Sequence, residues 1–372
     1  MREPYREILV IDLLGGIGDL IMLLPVVHGL ARRNPGGAVR VLTHEPGAAL
    51  LRGDPAVTRV LTPCHGGAGA EREAVAEALA ARRPDLAITT TRYDGIPDLL
   101  AASGARCVTD LWRRPPPDEP VGERYLRILL AEGLLRPEDA RARPAVRLTP
   151  AEIAYGERTL ARRVPAVAAR PPVVLITDAG MDVKRWPAGR WRGLAALLAR
   201  RGHPLLTPDA PPKRGPAGGA AEGAVFGREV AVLPGCGLRG LAACFAAVAR
   251  RGGVVVGADT GPLRLAAAAG AATVGLFGPT WAGRYGIGSG DGAGSAELKG
   301  ADLQGLPGCP HRRPTAITEQ PCWWTAECPL SPAGPACMAD IPVAAVVRAV
   351  TRLCAGLPGL PDLPACHPAD DR

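Results

Sequence analysis

The run from Val254 to Thr280 constrains the fold more tightly than any other part of this chain. A β-branched strand, residues 254–256, ends in Gly257-Ala258-Asp259. Thr260-Gly261-Pro262 then opens an alanine-rich helix, and a second apolar strand, residues 273–277, runs into Gly278-Pro279-Thr280. Strand, polar turn, helix and strand in so short a span form the unit from which parallel α/β sheets are built. The start of the helix presents free backbone amides and the positive end of its dipole, where a phosphate is stabilised. Proline suits that first turn, which needs no amide hydrogen. Thr260 can cap the helix or offer its hydroxyl to a ligand. An ordinary strand-to-helix junction has the same pattern, so this run alone does not establish an anion site.

The alternation extends through the chain. Buried-strand patterns fall at residues 8–13, 39–43, 57–61 and 86–90, with helical periodicity over 20–32, 71–83 and 122–131. Pro115-Pro116-Pro117 breaks this first half. A helix over 151–163 and a Pro/Ala-rich connector ending at Pro171-Pro172 precede a second series. Its strands are expected at 173–177, 204–207 and 229–233, and its helices at 188–201 and 238–250. Residues 209–223 read as a long Pro/Gly/Ala-rich loop. At 372 residues the chain exceeds one ordinary core. The expected fold class is α/β, with two doubly wound parallel-sheet domains at 1–165 and 166–342 and a final helix and tail at 343–372.

Composition narrows the function classes. The apolar fraction of 47% and charged fraction of 22% are those of a globular protein. Only Lys184, Lys213 and Lys299 are lysine among 44 Lys and Arg residues, the usage of a GC-rich genome. The net charge of +8 is scattered without a dense basic stripe, which argues against nucleic acid as partner. It allows anionic substrates or, at most, peripheral membrane contact. The apolar run over 20–27 is far short of the roughly 20 residues a bilayer requires, so a cytoplasmic location is expected. Ten cysteines would suit a disulfide scaffold only in a much shorter chain, and reduced thiols are expected. Cys309, Cys322, Cys328 and Cys337 form the one dense group, but not the paired C-x-x-C of a zinc ribbon. Free thiols, a disulfide and structural zinc all remain open there. His311, Arg312, Arg313, Trp323 and Trp324 share that segment and either border an acceptor or pack a loop.

Two further stretches carry candidate chemistry. Gly15-Gly16-Ile17-Gly18-Asp19 follows a strand and begins a helix, but lacks the third glycine of a dinucleotide fingerprint. An NAD(P)-dependent oxidoreductase is therefore the weaker alternative. By itself, a carboxylate at Asp19 favours the positive helix N-terminus. Lys184 stands in Asp178-Ala179-Gly180-Met181-Asp182-Val183-Lys184-Arg185-Trp186-Pro187. A lysine is unusual in a chain that uses arginine almost everywhere, and its bland reading is a solvated cation beside a buried Trp186.

The string Asp259-Thr260-Gly261, Leu265 to Ala268 and Phe277 to Thr280 resembles the C-terminal signature of family nine of the glycosyltransferases, the heptosyltransferases. It departs at Arg264, where that family usually carries histidine. The Gly15–Asp19 turn, followed by an apolar helix with Pro25, resembles the family's N-terminal G-x-G-D turn. Lys184-Arg185-Trp186-Pro187 resembles its K-x-W-P element, and Cys337-Met338 with Ile341 its C-M-x-x-I. These motifs span both halves but cover only a few tens of residues.

The resemblance implies a GT-B fold, two Rossmann-like domains facing a cleft, with the acceptor on the first domain and the sugar nucleotide on the second. It implies an inverting, metal-independent transfer from a nucleoside-diphosphate sugar, with no other cofactor. Asp19 would be the base, and Lys184 would meet the leaving diphosphate. Gly18, Asp259, Thr260 and Gly261 would meet the donor, and Pro234-Gly235-Cys236 would lie where the family cradles the base. Arg264 would grip a phosphate or salt-bridge elsewhere. Asp209 is the nearest candidate for the ribose. The final helix would cross back to the first domain. A secondary-metabolite acceptor is preferred over a lipopolysaccharide-core glycolipid, and a non-catalytic sugar-nucleotide-binding homologue is the remaining rival.

Overall fold

The computed structural model describes residues 4–112, 118–141, 143–164, 168, 170–209, 225–227, 229–287 and 300–355. The first sheet grows from β1 (Glu7–Asp12), whose Ile8, Leu9, Val10 and Ile11 are fully buried. Helices cover both faces of a parallel sheet, so its strands read as continuous apolar runs instead of alternating ones. The chain continues through α1 (Ile17–Arg33), β2 (Ala38–Thr43), α2 (Ala48–Leu51), β3 (Arg59–Leu61) and α3 (Ala70–Ala81). Next come β4 (Leu86–Thr89), α4 (Ile96–Ala102), β5 (Arg106–Val108) and α5 (Val121–Ala131). All five strands are parallel, in the order β3-β2-β1-β4-β5. α4 and the three-residue β5 were not expected; both are too short to show a clear period.

α6 (Pro150–Ala161) opens with a capping box between Thr149 and Glu152. The second sheet follows with β6 (Val173–Ile176), α7 (Ala188–Arg200), β7 (Leu205–Pro208), β8 (Val230–Leu233) and α8 (Gly237–Arg250). It is completed by β9 (Val254–Ala258), α9 (Gly261–Ala268), β10 (Ala272–Phe277), α10 (Ala282–Tyr285) and β11 (Gly300–Gln304). Two further helices, α11 (Ala336–Asp340) and α12 (Val343–Ala355), end the described chain. The order is β11-β10-β9-β6-β7-β8, again parallel throughout. β11 is an edge strand of mixed polarity, Gly-Ala-Asp-Leu-Gln, which explains why no strand was expected there.

α6 lies against α8 of the second domain. Gly156 allows this approach: a Cβ there would stand 2.1 Å from the Ala243 carbonyl oxygen. α12 packs on α7 and on β9, β10 and β11, where a crossing to the first domain was expected. Its apolar stripe of Val346, Val347 and Val350 joins Trp191, Leu194 and Leu198 in one core. Once buried there, that face has nothing left to offer the other domain.

Direct bonds join the two halves. Arg239 of α8 donates to Glu152 at 2.7 Å and to the Leu50 carbonyl at 2.9 Å. The Trp281 indole donates to Asp118 at 2.7 Å, and the Arg284 guanidinium lies 5.8 Å from the Trp112 ring. The Pro115–Pro117 break and residues 210–223 of the expected loop lie outside the described residues. Among the described residues, no helix is long and apolar enough to cross a membrane.

Candidate active site

Strand order reverses between β1 and β4 in the first sheet and between β6 and β9 in the second. Open α/β sheets bind ligands beyond the carboxyl ends of strands at such points, because the flanking loops diverge and leave a crevice. Asp12 and the turn to Asp19 end β1, Thr90 ends β4, Lys184 follows β6, and Asp259 ends β9. The topology therefore gathers these residues at two crevices, and the contact between domains brings the crevices together.

On the first-domain side, Asp19 is the third residue of α1. Its carboxylate folds back over the helix start, and a Cβ on Gly16 would stand 2.2 Å from Asp19 Oδ2. The helix-capping reading and the base reading are thus not exclusive. The N-terminus of α1 meets that of α9: Cβ atoms on Gly18 and Gly261 would stand 3.1 Å from Arg264 Cδ and 3.0 Å from Ile17 Cβ. Burial raises the Asp19 pKa, Arg264 and Lys184 pull it down, and Asp259 pushes it up; the net direction is upward.

On the second-domain side, Asp259 is the hub. Lys184 Nζ donates to its Oδ2 at 3.1 Å and to its carbonyl at 3.2 Å. Arg264 Nη2 donates to its Oδ1 at 2.6 Å and to the Tyr285 carbonyl at 2.5 Å. Burial would raise this carboxyl, but the two cations outweigh it and hold it near a pKa of about 2. Arg264 is thus salt-bridged to Asp259 within the group. Lys184 ends a short 3₁₀ turn, Asp182–Lys184. Trp186 anchors that turn: its indole donates to the Ile341 carbonyl at 3.1 Å and stacks edge-on against Trp191 at 5.0 Å.

Thr260 stands at the start of α9 with extended backbone, and its side chain does not cap the helix. Its hydroxyl is buried without a hydrogen-bond partner among the described residues, as is that of Thr280 beyond β10. Two unpartnered hydroxyls at the ends of neighbouring strands fit a ligand that accepts hydrogen bonds.

Sequence reasoning missed two neighbours of Asp19. Asp12 accepts a 2.7 Å hydrogen bond from Thr90 Oγ1, and its pKa is pushed up to about 7. Burial is the main cause and the Asp19 charge adds to it, against the Thr90 bond. A lone carboxylate closing an all-apolar strand was its one visible signal. Tyr125, from α5, buries its hydroxyl without a partner among the described residues, and burial with the Asp19 and Asp12 charges raises its pKa strongly. Nothing local in the sequence marks it.

Cys236 is not brought into this group. It begins α8 beyond β8, which β6 and β7 separate from β9, and its thiol faces Tyr155 and Cys244. Asp209 lies close to the same turn, 3.3 Å from a Cβ on Gly235. The cysteines of the described residues are free thiols, and none of these residues forms a group of three or more His, Cys, Asp or Glu able to hold a metal ion. Cys309, Cys322 and Cys337 surround Arg312. In the same segment Trp323 is buried and its neighbour Trp324 exposed.

Residues 124–293 match the family model described as glycosyltransferase family 9 (heptosyltransferase). Among solved structures, the chain resembles the glycosyl transferase family 9 protein of Veillonella parvula at a TM-score of 0.70 and 15% identity, covering 95% of this chain and 99% of that one. It resembles the E. coli ADP-heptose lps heptosyltransferase II at 0.65 and 18%, covering 94% and 98%. For the E. coli heptosyltransferase WaaC with ADP the values are 0.57 and 22%, covering 93% and 99%. These likenesses show the GT-B fold. No curated protein matches the chain by sequence.

Proposed function

We infer that this chain, a glycosyltransferase carrying a family 9 domain, moves a sugar from a nucleoside diphosphate to an acceptor hydroxyl with inversion at the anomeric carbon. One observation carries the reading: Asp19 of the first domain faces the Lys184–Asp259–Arg264 group of the second across the meeting point of α1 and α9. Asp19 takes the proton of the acceptor hydroxyl as its oxygen forms the bond to the anomeric carbon. On the opposite face the bond from that carbon to the diphosphate breaks. The charge left on the departing diphosphate is met by Lys184, the Thr260 hydroxyl and the first amides of α9. These fixed positive groups take the place a metal ion would fill, and transfer is expected to survive dialysis against a chelator.

The similar WaaC structure holds ADP, which makes ADP-linked heptose the first donor to assay. For the acceptor we favour a small polar molecule over an anionic glycolipid. The carboxyl edge of the first sheet pairs bases with acids, His44 with Glu71 at 2.7 Å and His65 with Glu73 at 2.9 Å. A lipid surface would favour a uniformly basic face.

Transfer from a panel of sugar nucleotides tests this reading. Lys184→Ala is expected to lower kcat by about 10²-fold, the usual cost of removing one preorganised donor from developing charge. Unchanged turnover in that variant would remove Lys184 from the mechanism.

A further inference from the structure

We propose that Trp323 is a positioning residue that holds the Lys184 ammonium in place for the donor diphosphate. The proposal rests on the reading of Lys184 given above. Lys184 Nζ lies 5.3 Å from the centroid of the Trp323 ring, within cation–π range. The lysine side chain is only 17% exposed, so water does not dissipate that attraction. The ring itself is fixed, because Trp323 packs with Val183 and Cys322 in a small core bordered by Met181, Ile317 and Ala326. Val183 directly precedes Lys184, so one cluster sets both the ring and the backbone that carries the ammonium.

The segment bearing the ring is tied to the other donor motif. Arg312 donates to the carbonyls of Gly278, Gly305 and Leu306 at 2.8–2.9 Å, and its guanidinium lies 5.7 Å from the Trp281 ring. The Trp323 amide donates to the Gln320 carbonyl at 3.0 Å, and the Gln320 side chain accepts from the Arg313 amide at 3.2 Å. A chain of bonds thus runs from the turn after β10 to the lysine after β6.

A lysine stem is flexible, and its ammonium has three donors. Asp259 takes two of them. A π face attracts the charge without taking the third, which stays available to a phosphate oxygen. An acidic neighbour in the same place would consume it.

The test uses the small number of lysines in this chain. With lysine labelled with ¹³C at its ε carbon, the Lys184 signal, assigned by Lys184→Arg, is expected upfield of the others through the ring current of Trp323. It should return to the free-lysine position in Trp323→Leu and stay partly displaced in Trp323→Phe. With ADP-heptose, or whichever panel donor is used best, Trp323→Leu is expected to raise KM about tenfold with a smaller change in kcat, and Trp323→Phe to recover most of the loss. In a Lys184→Met background, Trp323→Leu should cost nothing further. An unshifted Lys184 signal or additive losses would overturn the proposal. Full transfer by Lys184→Met would overturn the reading of Lys184 itself, even with the ring-current shift present.

Discussion

Asp19→Asn is expected to lower kcat by about 10³-fold while binding of the nucleoside diphosphate changes by no more than about twofold. Asparagine keeps the size and the hydrogen-bonding oxygen near the helix start but cannot take a proton. Calorimetry with ADP and steady-state transfer together separate a lost base from a lost fold. The pH profile adds a second reading. Only ionised Asp19 accepts the proton, and its pKa is raised above the usual carboxylate range, mainly by burial. The rate should therefore rise with pH along an acid limb displaced upward from an ordinary carboxylate's, and that limb should vanish in the variant. Turnover of Asp19→Asn at the unaltered rate would sink the mechanism. Loss of nucleotide binding with unchanged folding would move Asp19 from catalysis to donor contact.

The second large effect concerns stability. In the unfolded chain Asp12 ionises near a pKa of about 3.9. In the native state it holds its proton to about 7. Between those values the native state binds a proton that the unfolded state has lost, so stability falls as pH rises through this window and levels off above it. Asp12 is only 1% exposed, and a shift of this size corresponds to about 4 kcal/mol. Asp12→Asn removes the ionisation while keeping an acceptor for Thr90 Oγ1. Denaturant unfolding from pH 5 to 8 should therefore show the variant gaining on the parent by about 2.6 kcal/mol as pH rises, the rest of the effect lying below pH 5. Parallel curves would mean that Asp12 ionises normally in the folded protein. Asp19 lies close enough to contribute to the Asp12 shift, so Asp19→Asn should weaken the same pH dependence.

Much of the fold was legible because burial on both faces writes a parallel strand as a continuous apolar run. The exceptions follow the same logic. β11 is half polar and β5 only three residues long, so neither leaves such a run. Lys184 and Thr260 were found because the turns that carry them resemble family motifs, with the scarcity of lysine adding weight to Lys184. Which of its two uses Thr260 makes was not visible: able by sequence to cap its helix or to offer a hydroxyl to a ligand, it does not cap, and the hydroxyl is left unpartnered among the described residues.

The sequence by itself determined the two parallel sheets, the turns that end their strands, and the residue types placed at those turns. These depend on local geometry and on burial period, which neighbours in the chain encode. Only the tertiary structure decided that Arg264 locks onto Asp259, that α12 stays with the second sheet, and that Thr90 lies against Asp12. It alone placed Tyr125 beside Asp19 and Trp323 over Lys184. Most of these partners stand far apart along the chain, and which apolar face meets which sheet is settled by packing complementarity that no local pattern records.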